Sequence, residues 1–200
     1  MDAQTWNQRY SETELMWSAG PNLFVEQLCR DLTPGRSIDL AAGEGRNAIW
    51  LAEQGWDSTA VDYSDVAIDK ARQIAAKRGV TITAEVADLT EYEPSPGAYD
   101  LVVIAYLQIA DEQLTPILGR AAAAVAPGGT FVLVCHDRDN LERGYGGPQH
   151  PDVLTTPDQV VAAIGDRLTI DRAEVAERQV QTDDGERVAL DTLVLAHRPA

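Results

Sequence analysis

Cysteine is the scarcest reactive residue of this chain: its 200 residues include two, Cys29 and Cys135. Two unpatterned cysteines supply neither a disulfide framework nor the clustered thiolates of a structural zinc site. We therefore expect no bound metal, and we expect the protein to work in the reducing environment of the cytoplasm.

Long apolar runs are also missing. No segment approaches the ~20 consecutive apolar residues that a membrane-spanning helix requires, and the stretch from Met1 to Thr5 is polar, unlike a secretory leader. A length of 200 residues suits one domain with its own core. We expect a single domain over residues 1–200, with no membrane partner, as a monomer or a homodimer.

Basic residues are outnumbered by acidic ones, 16 to 32, which gives a formal net charge of −16. Such a surface repels phosphate backbones unless a local basic patch offsets it. The densest basic cluster, formed by Lys70, Arg72, Lys77 and Arg78, falls along one predicted helix and is typical of a solvated helix face. The charge balance therefore predicts no nucleic-acid partner.

One stretch, residues 37–47, carries the strongest pattern of the chain. A short apolar strand is followed by a turn containing Gly43 and Gly45 and then by the start of a helix. Glycine lets the backbone turn sharply and lets a ligand approach closely, while a helix N-terminus presents free N–H groups and the positive end of its dipole. The stretch predicts a loop that binds a nucleotide or a nucleoside.

Two cofactors compete for this loop. The spacing Gly43-x-Gly45-x-x-Ala48 fits a dinucleotide fingerprint, which would make the protein an NAD-dependent oxidoreductase. Asp39 argues the other way, because a carboxylate at the end of this strand suits a cation better than a pyrophosphate. S-adenosylmethionine (SAM) offers such cations, its sulfonium and its ammonium, and has no phosphate.

The segment from Asp39 to Gly45 resembles motif I of the class I SAM-dependent methyltransferases, Asp-x-Gly-x-Gly-x-Gly, with Ala41 in place of the first glycine. This resemblance implies that SAM is the cofactor. It implies a binding site that begins with Asp39, Ala41, Gly43, Gly45, Arg46 and Asn47.

Asp62 lies 17 positions after Gly45, at the end of the second predicted strand, where an acid binds ribose hydroxyls in Rossmann-type folds. Its alternative role is to cap the following helix, a role that Ser64 can fill. In the resembled family an Asp after the third strand binds the adenine amino group, and Asp88 matches that position. The resemblance adds Tyr63, Leu89 and Ala105 to the cofactor site.

The order of apolar and amphipathic segments predicts an α/β fold: a doubly wound, Rossmann-like, seven-stranded sheet. We expect its five parallel strands at residues 37–41, 58–61, 81–86, 99–105 and 130–135, and a C-terminal antiparallel hairpin at residues 168–181 and 186–197. A hairpin of this kind is the ending that class I methyltransferases share.

Two less regular segments flank the predicted cleft. Residues 1–20 form an arm with three aromatic residues, which either fasten the arm to the body or cover the pocket, and residues 136–156 form a loop that we interpret as a substrate lid. We expect the substrate pocket to be formed by these two segments together with the end of the fourth strand and the final hairpin. Its predicted residues are Trp6, Tyr10, Trp17, Tyr106, His136, Tyr145 and Arg187.

Transfer of a methyl group to a neutral hydroxyl or amine benefits from a general base. His136, at the end of the fifth strand, is the candidate, and His150 in the loop is the weaker alternative. A narrower resemblance, carried by residues 39–50 and by the final hairpin, is to tellurite-resistance and thiopurine-type methyltransferases, in which Arg187 would match an acceptor-holding residue. The sequence predicts a SAM-dependent methyltransferase acting on a small-molecule acceptor through S, O, N or a chalcogen. The alternatives are an NAD-dependent oxidoreductase and a methyltransferase acting on a macromolecule.

Overall fold

A computed structural model describes residues 3–13, 15 and 20–200 of the protein. Among the predicted site residues, Trp17 lies outside these ranges. No helix in the described part of the chain is long and apolar enough to cross a membrane. In the same residues, no group of three or more His, Cys, Asp or Glu side chains is placed to hold a metal ion.

One sheet of seven strands forms the centre of the molecule. Its strands are β1 (Arg36–Leu40), β2 (Asp57–Asp62), β3 (Thr83–Val86), β4 (Tyr99–Ala105), β5 (Val125–His136), β6 (Thr169–Thr182) and β7 (Gly185–His197). The α-helices are α1 (Ala3–Glu12), α2 (Leu23–Cys29), α3 (Arg46–Glu53), α4 (Asp65–Lys77), α5 (Asp111–Ala124), α6 (Asn140–Arg143) and α7 (Pro157–Ile164).

The strand order is β3-β2-β1-β4-β5-β7-β6, with β1 to β5 mutually parallel. β7 lies between β5 and β6 and runs antiparallel to both. This arrangement confirms the predicted doubly wound sheet with five parallel strands and a C-terminal antiparallel hairpin.

The helix starts follow the capping residues of the sequence. Asn22 caps α2 by accepting hydrogen bonds from the N–H groups of Phe24 and Val25, and Ser64 caps α4 through the N–H of Ala67. Thr156 begins α7 with the capping box that its sequence predicts. Because Ser64 caps α4, the carboxylate of Asp62 is left for another role.

The sheet buries both of its faces, as a near-continuous apolar strand such as β4 predicts. Residues 101–104 are completely buried, and their side chains alternate between two cores. Val102 and Ile104 pack in the core that includes α5 and α7, and Leu101 and Val103 pack in the core that includes α2 and α3. Because β1 to β5 are parallel, their carboxyl ends meet at one edge of this buried sheet.

Residues 136–156, predicted as an irregular lid, are attached to the hairpin at defined points. The Asp137 Oδ2 accepts a hydrogen bond of 2.6 Å from the Thr192 hydroxyl of β7, and Asn140 accepts one of 2.8 Å from the N–H of Leu190. An isolated bridge between Asp137 and Thr155 joins the two ends of the segment to each other. Between these anchors lie α6 and a single 3₁₀ turn, Pro151–Val153. The segment starts beside the sheet edge and returns to it.

Candidate functional site

A cleft of about 840 Å³, partly open to solvent, lies across the carboxyl ends of β1, β2 and β4. We call it the first cleft. Nine of the eleven predicted cofactor residues line it: Ala41, Gly43, Arg46, Asn47, Asp62, Tyr63, Asp88, Leu89 and Ala105. Ala42, Thr90, Leu107, Gln108 and Ile109 of the loops after the strands line it too, as does Ile117 of α5. The sequence predicted none of these six as cofactor residues, because none occupies a specified position of the motifs that carry the resemblance.

Asp62 joins the end of β2 to the glycine turn. Its Oδ2 accepts a hydrogen bond of 2.8 Å from the Gly43 N–H, and its Oδ1 accepts one of 2.9 Å from the Ser64 N–H. Burial raises the pKa of the Asp62 carboxyl, and these backbone donors counteract the rise. Each carboxylate oxygen has two lone pairs, so Asp62 keeps acceptor capacity for a ligand in the first cleft.

Asp39 lies behind the first cleft and does not line it. Its side chain is fully buried, and neither carboxylate oxygen forms a well-aligned hydrogen bond within the described structure. Burial raises the pKa of Asp39 to about 7, although the positive charge of Arg46 counteracts part of the rise. The Asn47 side chain and the Ala48 N–H also lie close enough to lower this pKa. Arg46 itself does line the cleft.

Gly45 is the second predicted cofactor residue that does not line the first cleft. Its backbone has a positive φ of 76°, and a Cβ at this position would lie 2.9 Å from the Cβ of Ala71 in α4. The absence of a side chain at Gly45 is therefore explained by the close packing of α4 against the turn.

Two residues other than glycine have positive φ in the described chain, Ala41 (65°) and Tyr106 (59°). They follow β1 and β4, which are neighbouring strands, and both line the first cleft. Left-handed backbone is costly for a residue with a Cβ, most of all for a bulky one, and such residues concentrate at functional sites. The sequence marked both positions, but it gave no sign of their backbone conformation.

Two other predicted cofactor residues have hydrogen bonds within the protein. The Asp88 Oδ1 accepts bonds of 2.8 Å from both the N–H and the hydroxyl of Thr90, which shapes the loop after β3. The Asn47 Oδ1 accepts a bond of 2.9 Å from the Asn22 N–H and so joins α3 to the start of α2. Both residues line the first cleft, and these bonds do not involve the Oδ2 of Asp88 or the Nδ2 of Asn47.

Helix α1 lies over the first cleft, which Trp6 and Tyr10 help to line. The two rings lie 5.7 Å apart, and Tyr10 is buried. The Lys70 Nζ of α4 donates hydrogen bonds to the carbonyls of Tyr10 (2.6 Å) and Thr13 (2.5 Å), at the C-terminal end of α1. The arm is thus both fastened to the body and part of the pocket roof.

A second cleft adjoins the first and shares Arg46, Tyr106 and Gln108 with it. His136, Tyr145 and Arg178 line the second cleft, together with Pro21, Asn22, Leu23, Gly146, Gly147 and Val180. No carboxylate is among these residues. Of the predicted substrate pocket, Tyr106, His136 and Tyr145 lie here.

Arg187 is not brought into either cleft. It pairs with Val180, four residues along β7 from Asp191 and roughly 13 Å nearer the hairpin turn at about 3.3 Å per residue. Arg178 of β6 lines the second cleft instead, and its Nε donates a hydrogen bond of 2.7 Å to Asp191. The sequence did contain a signal for Asp191, since it is the single acid in the apolar stretch of residues 188–196.

Asp191 is fully buried and connects three side chains of the second cleft. Its Oδ2 accepts hydrogen bonds from the Tyr106 hydroxyl (2.9 Å) and from Arg178, and its Oδ1 lies 3.3 Å from the His136 Nδ1. Burial alone would raise the pKa of Asp191, but the interactions with His136 and Arg178 lower it below its ordinary value. Asp191 is therefore a buried carboxylate that stays charged.

Residues 38–129 match a protein family described as a methyltransferase domain. A curated relative, 2-heptyl-1-hydroxyquinolin-4(1H)-one methyltransferase of Mycobacteroides abscessus, is 28% identical over 120 residues, which cover 58% of this chain and 52% of that protein. Ribosomal RNA small subunit methyltransferase C of Alcanivorax borkumensis is 29% identical over 108 residues, covering 52% of this chain and 33% of that protein. The chain thus spans about half of the first relative's length and about a third of the second's.

Solved structures share the fold over more of the chain. The N-methyltransferase NodS of Bradyrhizobium japonicum, in complex with S-adenosylhomocysteine, has a TM-score of 0.74 and 18% identity over the whole of both chains. TehB of Haemophilus influenzae has a TM-score of 0.71 and 16% identity over 99% of this chain and 67% of that one. At these identities the similarity establishes the fold alone. TehB, a tellurite-resistance protein, shares this fold.

The family match covers the strand, the glycine turn and the acids Asp39 and Asp62 that carried the resemblance in the sequence. The order of the seven strands agrees with it independently. The cofactor of the family is SAM. Residues 38–129 therefore form a methyltransferase domain of this family, and the fold of the chain is that of the class I SAM-dependent methyltransferases.

Proposed function

We propose that the protein transfers a methyl group from SAM, bound in the first cleft, to a small-molecule acceptor bound in the second. The observation that carries this proposal is the shared wall of the two clefts, formed by Arg46, Tyr106 and Gln108. Methyl transfer requires the acceptor atom in line with the methyl–sulfur bond, at a distance near 3 Å. Two adjoining clefts that share a wall support this proposal, because each could hold one of the two reactants.

The residues of the first cleft fit the cofactor. Asp62 would accept hydrogen bonds from the ribose hydroxyls, and Asp88 would hold the adenine amino group beside Leu89. The glycine turn brings backbone close to the ligand, and α1 covers it with the rings of Trp6 and Tyr10. When bound, SAM supplies an electrophilic methyl group.

The charge of the protein supports a small acceptor over a nucleic acid. The chain carries a net charge of −16, which repels a phosphate backbone. The second cleft contains two guanidinium groups, of Arg46 and Arg178, and two cations suffice to bind one small polar molecule but not a long phosphate backbone. Tyr106 and Tyr145 add aromatic surface to the same wall. A macromolecular acceptor remains the alternative, because a ribosomal RNA methyltransferase is among the relatives.

Calorimetry with SAM, S-adenosylhomocysteine and NAD tests the cofactor. We expect the first two to bind and NAD to give no heat, and binding of NAD alone would contradict the proposal. Release of S-adenosylhomocysteine tests the acceptor, with a panel of small hydroxyl, amine and thiol compounds that includes the hydroxyquinolone named for the mycobacterial relative. Release with ribosomal RNA and with no member of the panel would establish the macromolecular alternative.

A further inference from the structure

His136 faces Asp191 across two paired strands. His136 ends β5, Asp191 lies within β7, and the two residues are direct partners in the antiparallel register. The His136 Nδ1 lies 3.3 Å from the Asp191 Oδ1. Nδ1 is buried and forms no well-aligned hydrogen bond within the described structure, so Asp191 is the acceptor it faces.

The imidazole ring is held on its other sides by packing. The Tyr106 ring lies 4.6 Å from it between centroids, and the hydroxyl of Tyr106 is fixed by Asp191. A Cβ on Gly147 would lie 3.1 Å from the ring, so this glycine of the loop packs directly over it. The ring edge opposite Nδ1 carries Nε2, and His136 lines the second cleft.

We propose that His136 is the general base of methyl transfer, with Asp191 as the residue that positions it, and that the acceptor group is therefore one that keeps its proton at neutral pH, such as a hydroxyl. This inference rests on the proposed function. A neutral imidazole is a donor at one ring nitrogen and an acceptor at the other. Because Nδ1 faces a carboxylate, the proton resides on Nδ1, and the lone pair of Nε2 faces the acceptor.

The step balances without a further reactant. The acceptor oxygen forms its bond to the methyl carbon as the methyl–sulfur bond breaks, and the electron pair of that bond stays on sulfur. The O–H proton moves to the Nε2 of His136, and the resulting imidazolium is stabilised by the charge of Asp191. Proton loss to solvent returns His136 to its neutral form.

The surroundings of His136 favour this direction of proton transfer. Asp191 faces it from β7, Arg178 faces the same carboxylate from β6, and the Cζ of Arg46 of α3 lies 5.9 Å from the centroid of the Tyr106 ring. The carboxylate of Asp191 lowers the free-energy cost of forming an imidazolium at His136 during the reaction. Without Asp191 the ring would lose both its fixed orientation and the negative charge that stabilises the imidazolium.

Nitrogen-15 NMR of the histidine rings tests the positioning directly, in the protein with S-adenosylhomocysteine bound. The chain has three histidines, and neutral His136 is expected to carry its proton on Nδ1 in the wild type and to shift toward Nε2 in Asp191→Asn. His197 is the internal control, because its Nδ1 lies 2.9 Å from Asp171 on the exposed part of the same hairpin. A His136 protonated on Nε2 in the wild type would overturn the proposal, since that nitrogen could not accept a proton.

Methyl transfer to a matched pair of probes tests the base. 2-Naphthol keeps its proton at neutral pH, whereas 2-naphthalenethiol is largely ionised and needs no base. We expect His136→Gln and Asp191→Asn to lower transfer to the naphthol about 100-fold or more, the usual contribution of a general base, and to leave transfer to the thiol within about threefold of the wild type. The variant Asp171→Asn, which breaks the control pair, should change neither rate.

Equal loss with both probes in His136→Gln, with SAM affinity unchanged, would overturn the assignment of His136 as the base. Failure of the proposed function looks different, because the wild type would then release no S-adenosylhomocysteine with any probe. The NMR measurement tests whether Asp191 positions His136 even if no probe is methylated, because it requires no methyl acceptor.

Discussion

The Asp62 carboxylate accepts a hydrogen bond of 2.8 Å from the Gly43 N–H, and so fastens the end of β2 to the turn that follows β1. The same carboxylate holds the Ser64 N–H at 2.9 Å. An acid that the sequence marks as a ligand of the cofactor is thus also part of the framework that shapes the cleft.

Replacement of Asp62 by alanine is therefore expected to have two effects. SAM affinity should fall by about 1–3 kcal/mol through the loss of hydrogen bonds to a charged group. From the sequence we would expect little change in stability, but the structure predicts a loss of about 1–3 kcal/mol, because two buried N–H groups lose their acceptor. Calorimetry and urea unfolding measure the two effects.

The variant Asp62→Asn separates them, since its amide oxygen can still accept one of the two bonds. We expect it to recover part of the stability and little of the SAM affinity. Unaltered SAM affinity in Asp62→Ala would remove Asp62 from the cofactor site.

Ala41 offers a test of the turn itself, because it has a φ of 65° and lines the first cleft. Ala41→Gly should stabilise the protein by up to about 1 kcal/mol through relief of the left-handed backbone, and should keep SAM binding. Ala41→Val should block SAM binding, since a branched side chain crowds the cleft wall and disfavours positive φ. Equal SAM affinity in the two variants would show that the turn does not press on the cofactor.

Helix α1 is expected to report cofactor binding. Hydrogen exchange over residues 3–13 should slow when SAM binds, and deletion of residues 1–20 should abolish methyl transfer while the sheet, which begins at Arg36, stays folded. Lys70→Met removes the bonds to the end of α1 and should speed exchange there and weaken SAM binding roughly tenfold, about 1.4 kcal/mol.

Lys77→Met is the matched control for this test, because Lys77 is exposed at the far end of the same helix. It should alter neither exchange in α1 nor SAM affinity. Exchange in α1 that is equally slow with and without SAM would mean that the helix serves packing alone.

The buried Asp39 predicts a pH dependence of stability. Its pKa is raised from 3.8 to about 7 in the folded state, mainly by burial. Between these values the unfolded chain has released the proton and the folded chain still holds it, so stability falls as pH rises through this window and levels off above about pH 7. At 1.36 kcal/mol per pKa unit, the upper limit of the loss is about 4 kcal/mol.

Asp39→Asn does not titrate, so its stability relative to the wild type should rise between pH 5 and pH 8, as followed by urea unfolding in matched buffers. Contributions of the other ionisable groups are common to both proteins and cancel in the difference. A difference that stays constant with pH would show that Asp39 ionises normally in the folded state.

The sequence by itself determined the class of fold and the first cleft. The alternation of apolar strands with amphipathic helices dictated a parallel sheet, and the acids and glycines after β1 and β2 marked its binding edge, because the carboxyl ends of parallel strands meet there. These signals are local, within a few residues of each strand end. That is why nine of the eleven predicted cofactor residues line one cleft.

Tertiary structure alone decided which side chains complete the second cleft. Arg187 and Arg178 are both basic residues of the final hairpin, and only the register between β6 and β7 places Arg178 beside Asp191 and leaves Arg187 farther toward the turn. The pairing of β5 with β7 sets His136 opposite Asp191, 55 residues apart in the chain. The pairing of β5 with β7 joins strands far apart in the chain, so no local pattern in the sequence specifies its register.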